Sequence, residues 1–400
     1  MADSYINRSL QKLSTVYMIL GVSYDINDLT RREKLQRRCV YIINCLWLNT
    51  DVLGAIVWFF NGIENGTPFV ELTYIAPCIA FSFLANTRSY ALIHYEEQMS
   101  DLIRSLKRLE ENTKSITQAE DRLKIYRKET KFLHRVIRVT KIQNVILILT
   151  FLISPLVFIV YKYFRTKKLD LILPFLIIYP FDSHDIKYWP FVYLHQFWSE
   201  TIVCLEICFI DFLLYICCTF IRIQFRLIQC EFAKLDSLSN GEMFERDFTQ
   251  LVKWHQELIR ASNLLEQVYS KSTLYNFISS SILICLTGFN VTAIENKAFS
   301  NMFVIFLSST LVQIFFLCFF GDLLMQSSSG VSDAIYASKW YHAPGAGKNL
   351  HIVQMRAQKP CKLTAFGFTD VNLGAFMSIL STAWSYFALL KTIYSSPRTN

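Results

Sequence analysis

Apolar runs long enough to cross a lipid bilayer alternate along the chain with polar stretches that keep a helical rhythm. About 20 successive apolar residues suffice for a helix to cross the hydrocarbon layer. Seven stretches approach that length, near 40–62, 70–93, 142–164, 201–221, 274–294, 302–325 and 371–393. The third, "IQNVILILTFLISPLVFIVYKYF", and the sixth, "MFVIFLSSTLVQIFFLCFFGDLLM", carry no charge until their last few residues. The second is the weakest, because Glu71, Pro77 and Arg88 interrupt it.

The polar stretches are patterned too. "EENTKSITQAEDRLKIYRKETKFLHRVIRVTK" mixes both signs of charge at helical spacing, which predicts that adjoining helices continue past the membrane as polar rods. A similar stretch after span four is interrupted by the turn signal Asn240-Gly241. Near the start, Leu10, Leu13, Tyr17 and Leu20 share a helical face beside Arg8 and Lys12, the pattern of a helix lying on a membrane surface. The Pro- and aromatic-rich "LPFLIIYPFDSHDIKYWPFVY" reads as a folded lid. The expected organisation is an N-terminal segment with an interfacial helix (1–39), a block of six spans holding a ligand pocket (40–325), an anchor segment (326–370) and a last span with a short tail (371–400).

Composition narrows the class. Of 400 residues 52% are hydrophobic and 18% charged, more apolar surface than a soluble core absorbs. The chain is therefore read as an all-α membrane protein with seven transmembrane helices. Its net charge of +8 would suit nucleic acid, but the basic residues are spread between apolar segments. They mark orientation instead. Most Lys and Arg fall in the N-terminus and the second, fourth and sixth loops, which predicts a cytoplasmic N-terminus and an extracellular C-terminus. Two glycosylation sequons, at Asn65 and Asn290, fall on the expected outer side. That orientation is opposite to that of G-protein-coupled receptors, whose acidic-Arg-aromatic and Asn-Pro motifs are also missing. The 11 cysteines lie mostly inside apolar runs and read as small packing residues.

No enzyme motif is found, and no cofactor or metal pattern. "GAGKN" at Gly345–Asn349 has neither the glycine spacing nor the Ser/Thr of a phosphate loop. Acids within or near the spans (Asp51, Glu206, Asp211 and Asp322) would serve a proton-coupled transporter, although structural polar pairing is the favoured reading. Aromatic and small polar groups gather in the outer halves of spans two, three, four and six. They are Tyr74, Cys78 and Phe81; Phe151 and Ser154; Trp198, Thr201 and Leu205; and Met302, Ile305 and Phe306. A pocket made of them would suit a small lipophilic or volatile ligand.

The last span carries hydroxyls at one face. Ser381, Ser385, Leu389 and Ile393 repeat every four residues, with Ser378 and Thr382 beside them. This spacing is equally compatible with close helix packing and with the wall of a hydrated path that ends in an apolar constriction.

Ala334–Leu390 also holds "SKWY" at Ser338–Tyr341, "MRAQKP" at Met355–Pro360, Gly367-Phe368, and "SYF" at Ser385–Phe387. In combination these resemble the C-terminal signature of insect odorant receptors, and the "LPF…YPFD…YWPF" loop, the length and the inverted seven-span order suit that family throughout. Gustatory receptors share the architecture but end in a different pattern. The resemblance implies an odorant-binding subunit of a heterotetrameric, ligand-gated, non-selective cation channel in the plasma membrane, expected in sensory neuron dendrites. Ser378, Ser381, Thr382 and Ser385 would line the pore, with Leu389 and Ile393 as its gate. The short stretch between spans four and five resembles a ligand-tuned subunit, so the implied partners are a co-receptor, an odorant and permeant cations. Lys391 departs from the apolar pattern beside the gate. The alternatives are a proton-coupled transporter and a metabotropic receptor.

Overall fold

The computed structural model describes residues 4–24, 29–117, 119–235, 241–294, 297–338 and 347–395. They form α1 (Tyr5–Gln11), α2 (Ser14–Leu20), α3 (Arg31–Glu64), α4 (Phe69–His94), α5 (Glu96–Ile116), α6 (Ala119–Thr166), α7 (Trp189–Lys234), α8 (Gly241–Ala293), α9 (Lys297–Ala337), α10 (Gly347–Ala357) and α11 (Leu373–Ser395). Seven of these, α3, α4, α6, α7, α8, α9 and α11, are long and apolar enough to span a membrane. Trp340 and Tyr341 of the signature lie outside the described residues.

Helix α7 is the axis of the bundle. In its most apolar stretch 89% of residues are buried, against 17% for α11, which puts α7 at the core and α11 at the edge. Helices α4, α6, α8 and α9 pack around α7, and α11 rests on α8 and α9. The polar rods are real: α6, α7 and α8 extend well beyond bilayer length. There Glu129, 4% exposed, accepts from Arg222 Nη1 at 2.8 Å and from Arg226, tying α6 to α7. In the apolar region Arg88 on α4 pairs with Asp211 on α7, each side chain 2% exposed. Gln313 on α9 donates to Asp211 Oδ2 at 3.1 Å, completing a three-helix polar link.

The interfacial helix expected near the N-terminus is corrected. Two short helices replace it, and their apolar face turns into the protein, with Leu10, Leu13 and Leu20 at most 2% exposed. The cause is Glu110 on α5. Its carboxylate accepts from Tyr5 N and Ser4 Oγ at 2.7 Å and from Ile6 N at 3.1 Å, satisfying amides that α1 cannot pair internally. An apolar stripe beside basic residues suits a membrane surface and a protein groove equally; the Glu110 contacts select the groove.

Glycosylation at Asn290 is also corrected. That side chain is fully buried, its Nδ2 donating to Thr73 O at 2.7 Å and its Oδ1 accepting from Thr73 Oγ1 at 2.9 Å. It links α8 to α4 and leaves no room for a glycan. Asn65 closes α3 at an exposed turn, where Gly66 adopts φ +70°. Asn65→Gln is expected to remove any glycosidase-sensitive gel shift, and Asn290→Gln to leave it unchanged. A shift lost only in Asn290→Gln would contradict this assignment.

The foot of α11 is locked. Thr364 N donates to Glu266 Oε2 on α8 at 2.7 Å, and Cys361 N donates to Ser328 Oγ on α9 at 2.9 Å. A tight turn with Gly367 at φ +78° follows, closed by Val371 N donating to Leu363 O at 2.8 Å. Val371 then crosses α9 so closely that a Cβ on Gly321 would stand 2.3 Å from its carbonyl oxygen. Only glycine permits that crossing.

Candidate functional site: a cavity at the loop end of the bundle

Helices α3, α4, α6, α7 and α9 line a cavity of about 70 Å³ beneath the 167–188 loop. Four expected residues line it: Cys78, Phe81, Phe151 and Phe306. Their rings interlock edge-on, Phe306 lying 5.1 Å from Phe81 and 6.1 Å from Phe151. Phe175, from the loop, stacks on Phe151 at 5.6 Å and joins Ile177 as the cavity's roof.

The other expected residues are placed elsewhere. Tyr74 borders a neighbouring hollow with Leu173, Ile294 and Phe299. Met302 is buried in packing, and Ile305 and Leu205 back the core. Ser154 and Thr201 are half-buried away from the cavity, and the Thr201 hydroxyl donates to Phe197 O at 2.8 Å. Trp198 is 36% exposed. On α7 the lining residues are Ser199, Glu200, Val203 and Cys204, so the expected stripe of Trp198, Thr201 and Leu205 lies on roughly the opposite side of the helix.

Sequence reasoning missed two contributors. Leu48, Asp51, Val52 and Ala55 of α3 line the cavity at helical spacing around an acid, a pattern that was available. Phe175 and Ile177 were not findable by periodicity, because a loop has none. The loop folds as the lid expected of it. Ile178 N donates to Gly54 O at 3.3 Å, and a Cβ on Gly54 would lie 2.5 Å from Ile177 Cγ2. Gln196 on α7 accepts from Phe175 N at 3.0 Å and donates to Tyr179 Oη at 3.2 Å.

Polar groups gather where lid meets cavity. Tyr179 Oη donates to Asp51 Oδ1 at 2.7 Å, and His195 Nδ1 stands 2.9 Å from the same oxygen. Trp47 stacks on His195 at 4.7 Å. Asp51 Oδ2 and Glu200 Oε2 are shut off from solvent with no hydrogen-bond partner.

The second candidate surface is α11. Ala375, Ile379 and Ala383 form its buried seam. Ser378, Ser381, Thr382, Ser385, Leu389, Lys391 and Ile393 are all exposed. Ser385 Oγ donates back to Ser381 O at 2.9 Å, a local bond that lowers the cost of a hydroxyl among apolar surroundings. Of the acids a transporter would use, Asp211 is committed to Arg88, Asp322 Oδ2 accepts from Gln326 Nε2 at 2.6 Å, and Glu206 is buried with Oε2 unpartnered. No group of His, Cys, Asp and Glu fit to hold a metal ion occurs among the described residues.

Comparison with known proteins agrees over the whole length. The family model of the 7tm odorant receptors matches residues 68–384. Odorant receptor 67c of Drosophila melanogaster is 27% identical over 357 residues, covering 87% of this chain and 86% of that receptor. Putative odorant receptor 92a of the same species is 26% identical over 396 residues, covering 95% and 93%. The structure of the insect olfactory receptor OR5 from Machilis hrabei in complex with eugenol superposes with a TM-score of 0.82 at 17% identity, covering 98% of this chain and 100% of that one. With seven membrane-length helices and a family match across most of its length, the chain is a multi-pass membrane protein that belongs to the 7tm odorant receptor family, a family of odorant-sensing receptors and not of enzymes.

Proposed function

We propose that the chain is the odorant-binding subunit of a ligand-gated, non-selective cation channel, assembled with a co-receptor into a heterotetramer in the plasma membrane. The reading rests most on one observation: Ser378, Ser381, Thr382 and Ser385 are exposed on the helix whose apolar stretch is the least buried of the seven. A polar stripe is disfavoured against hydrocarbon, so it calls for water or another subunit. Arranged around an axis, several such stripes would wall a hydrated path, with Leu389 and Ile393 as the constriction where it dries. In this reading the cavity takes the odorant, and a state in which the last helices splay is favoured when it binds. The N-terminus is cytoplasmic, and sensory dendrites are the site of action.

Co-expression with an insect co-receptor, with currents recorded across an odorant panel, tests the reading. Cation currents evoked by small volatiles are expected. Surface expression of both chains with no evoked current would reject it. The lid supplies a second measurement. Gly54→Val forces a branched side chain against Ile177 and the Ile178 carbonyl, and overpacking of this kind typically costs about 1–3 kcal/mol. It is expected to raise the half-maximal odorant concentration roughly tenfold, with Gly54→Ala between it and the wild type. An unchanged dose–response curve would remove the lid from the binding site.

A further inference from the structure

The cavity's wall is apolar apart from Ser82, Ser199 and two acids. Asp51 is 6% exposed and offers one oxygen to Tyr179 and His195 while Oδ2 has no partner. Glu200 also lines the cavity, its Oε2 is closed to solvent without a partner, and no Lys, Arg or His pairs with it among the described residues. A carboxylate left unpaired in an apolar enclosure is costly, and such groups are otherwise paired or functional. Elsewhere Asp211 has Arg88 and Glu129 has Arg222 and Arg226, while Glu206 is buried with Oε2 unpartnered but does not line this cavity. At the cavity the unpartnered oxygens belong to residues that line space a ligand can fill.

We infer that the cavity selects a small primary amine, bound as its ammonium by Glu200 and Asp51, with its hydrocarbon body among Phe81, Phe151, Phe175 and Phe306. This rests on the cavity being the odorant site and specifies which chemistry enters it. An ammonium brings three N–H donors, whereas a hydroxyl brings one and an alkyl group none; two carboxylate oxygens lack a partner here. The phenylalanine rings favour a cation as well, because their faces attract positive charge. The small volume confines the choice to compact amines with one ring or a short chain.

The test is calorimetric titration of the full receptor complex in lipid nanodiscs with 2-phenylethylamine, 2-phenylethanol and ethylbenzene, which differ only at one end. The amine is expected to bind roughly tenfold or more tightly than either neutral ligand, the scale of a charge-assisted hydrogen bond. Glu200→Gln is expected to abolish that preference while ethylbenzene binds as before, which also reports an intact fold; Asp51→Asn is expected to reduce it. Neutral ligands binding as tightly as the amine, an amine preference that survives both substitutions, or no amine binding at all would each overturn the inference. Currents separate it from the channel reading. Amine binding without current rejects the channel and leaves the site assignment, whereas currents to neutral odorants without amine binding do the reverse.

Discussion

Arg88→Ala is expected to cost on the order of 3–5 kcal/mol, the usual penalty for stranding one partner of a buried ion pair, and to keep most of the chain from the cell surface. Arg88 and Asp211 are both 2% exposed, and Gln313 adds a third helix to the link. Removing the guanidinium leaves a carboxylate in the apolar centre of the bundle with only an amide to answer it. Surface labelling and the thermal midpoint of the solubilised protein measure the loss. Replacing both partners, Arg88→Met with Asp211→Leu, is expected to restore much of the stability, because no charge is then stranded. Wild-type stability in the single variant would show that the pair is dispensable. Ligand-gated current in the double variant would separately argue against a proton-coupled role for Asp211.

Leu389→Ser is expected to produce a standing cation current without odorant, at least several-fold above the wild-type baseline. An apolar ring blocks ions by shedding water, and a hydroxyl in its place holds water in the constriction. Ile393→Ser is expected to act in the same direction, and Leu389→Trp to reduce the evoked current. A baseline unaltered by both serine substitutions, with normal surface expression, would mean that the constriction lies elsewhere.

The spans were readable because hydrophobic length and period are properties of consecutive residues. The stripe on α11 was readable for the same reason, and the uncovered Ser378, Ser381 and Ser385 agree with a face awaiting something outside this chain. The cavity was readable only in part. Phe81, Phe151 and Phe306 announce themselves as aromatics, but on α7 both Trp198 and Ser199 begin plausible stripes, and only packing decides which one turns inward. The lid's share depends on Gly54, whose missing side chain lets a loop lie against a helix. Asn290 and the N-terminal leucines fail for a common reason. A sequon and an amphipathic face are local patterns, whereas Thr73 and Glu110, which fix their surroundings, lie 217 and 104 to 106 residues away in the chain.

The clamp at the foot of α11 has a mechanical meaning. Glu266, Ser328 and the Gly321 crossing hold that end, while above it the helix rests on the narrow seam of Ala375, Ile379 and Ala383, and Tyr394 near its far end meets Phe289 of α8 edge-on at 5.5 Å. Were the Tyr394–Phe289 contact to part, a rod fixed at its foot would pivot rather than slide. At 1.5 Å per residue, Leu389 lies about 24 Å up the lever arm from Leu373 and Ile393 about 30 Å. A tilt of only about 5° therefore carries Leu389 sideways by about 2 Å, yet scarcely displaces Ala375 near the fulcrum. Small changes in packing low on the rod are amplified at its tip, where the proposed constriction of Leu389 and Ile393 would lie.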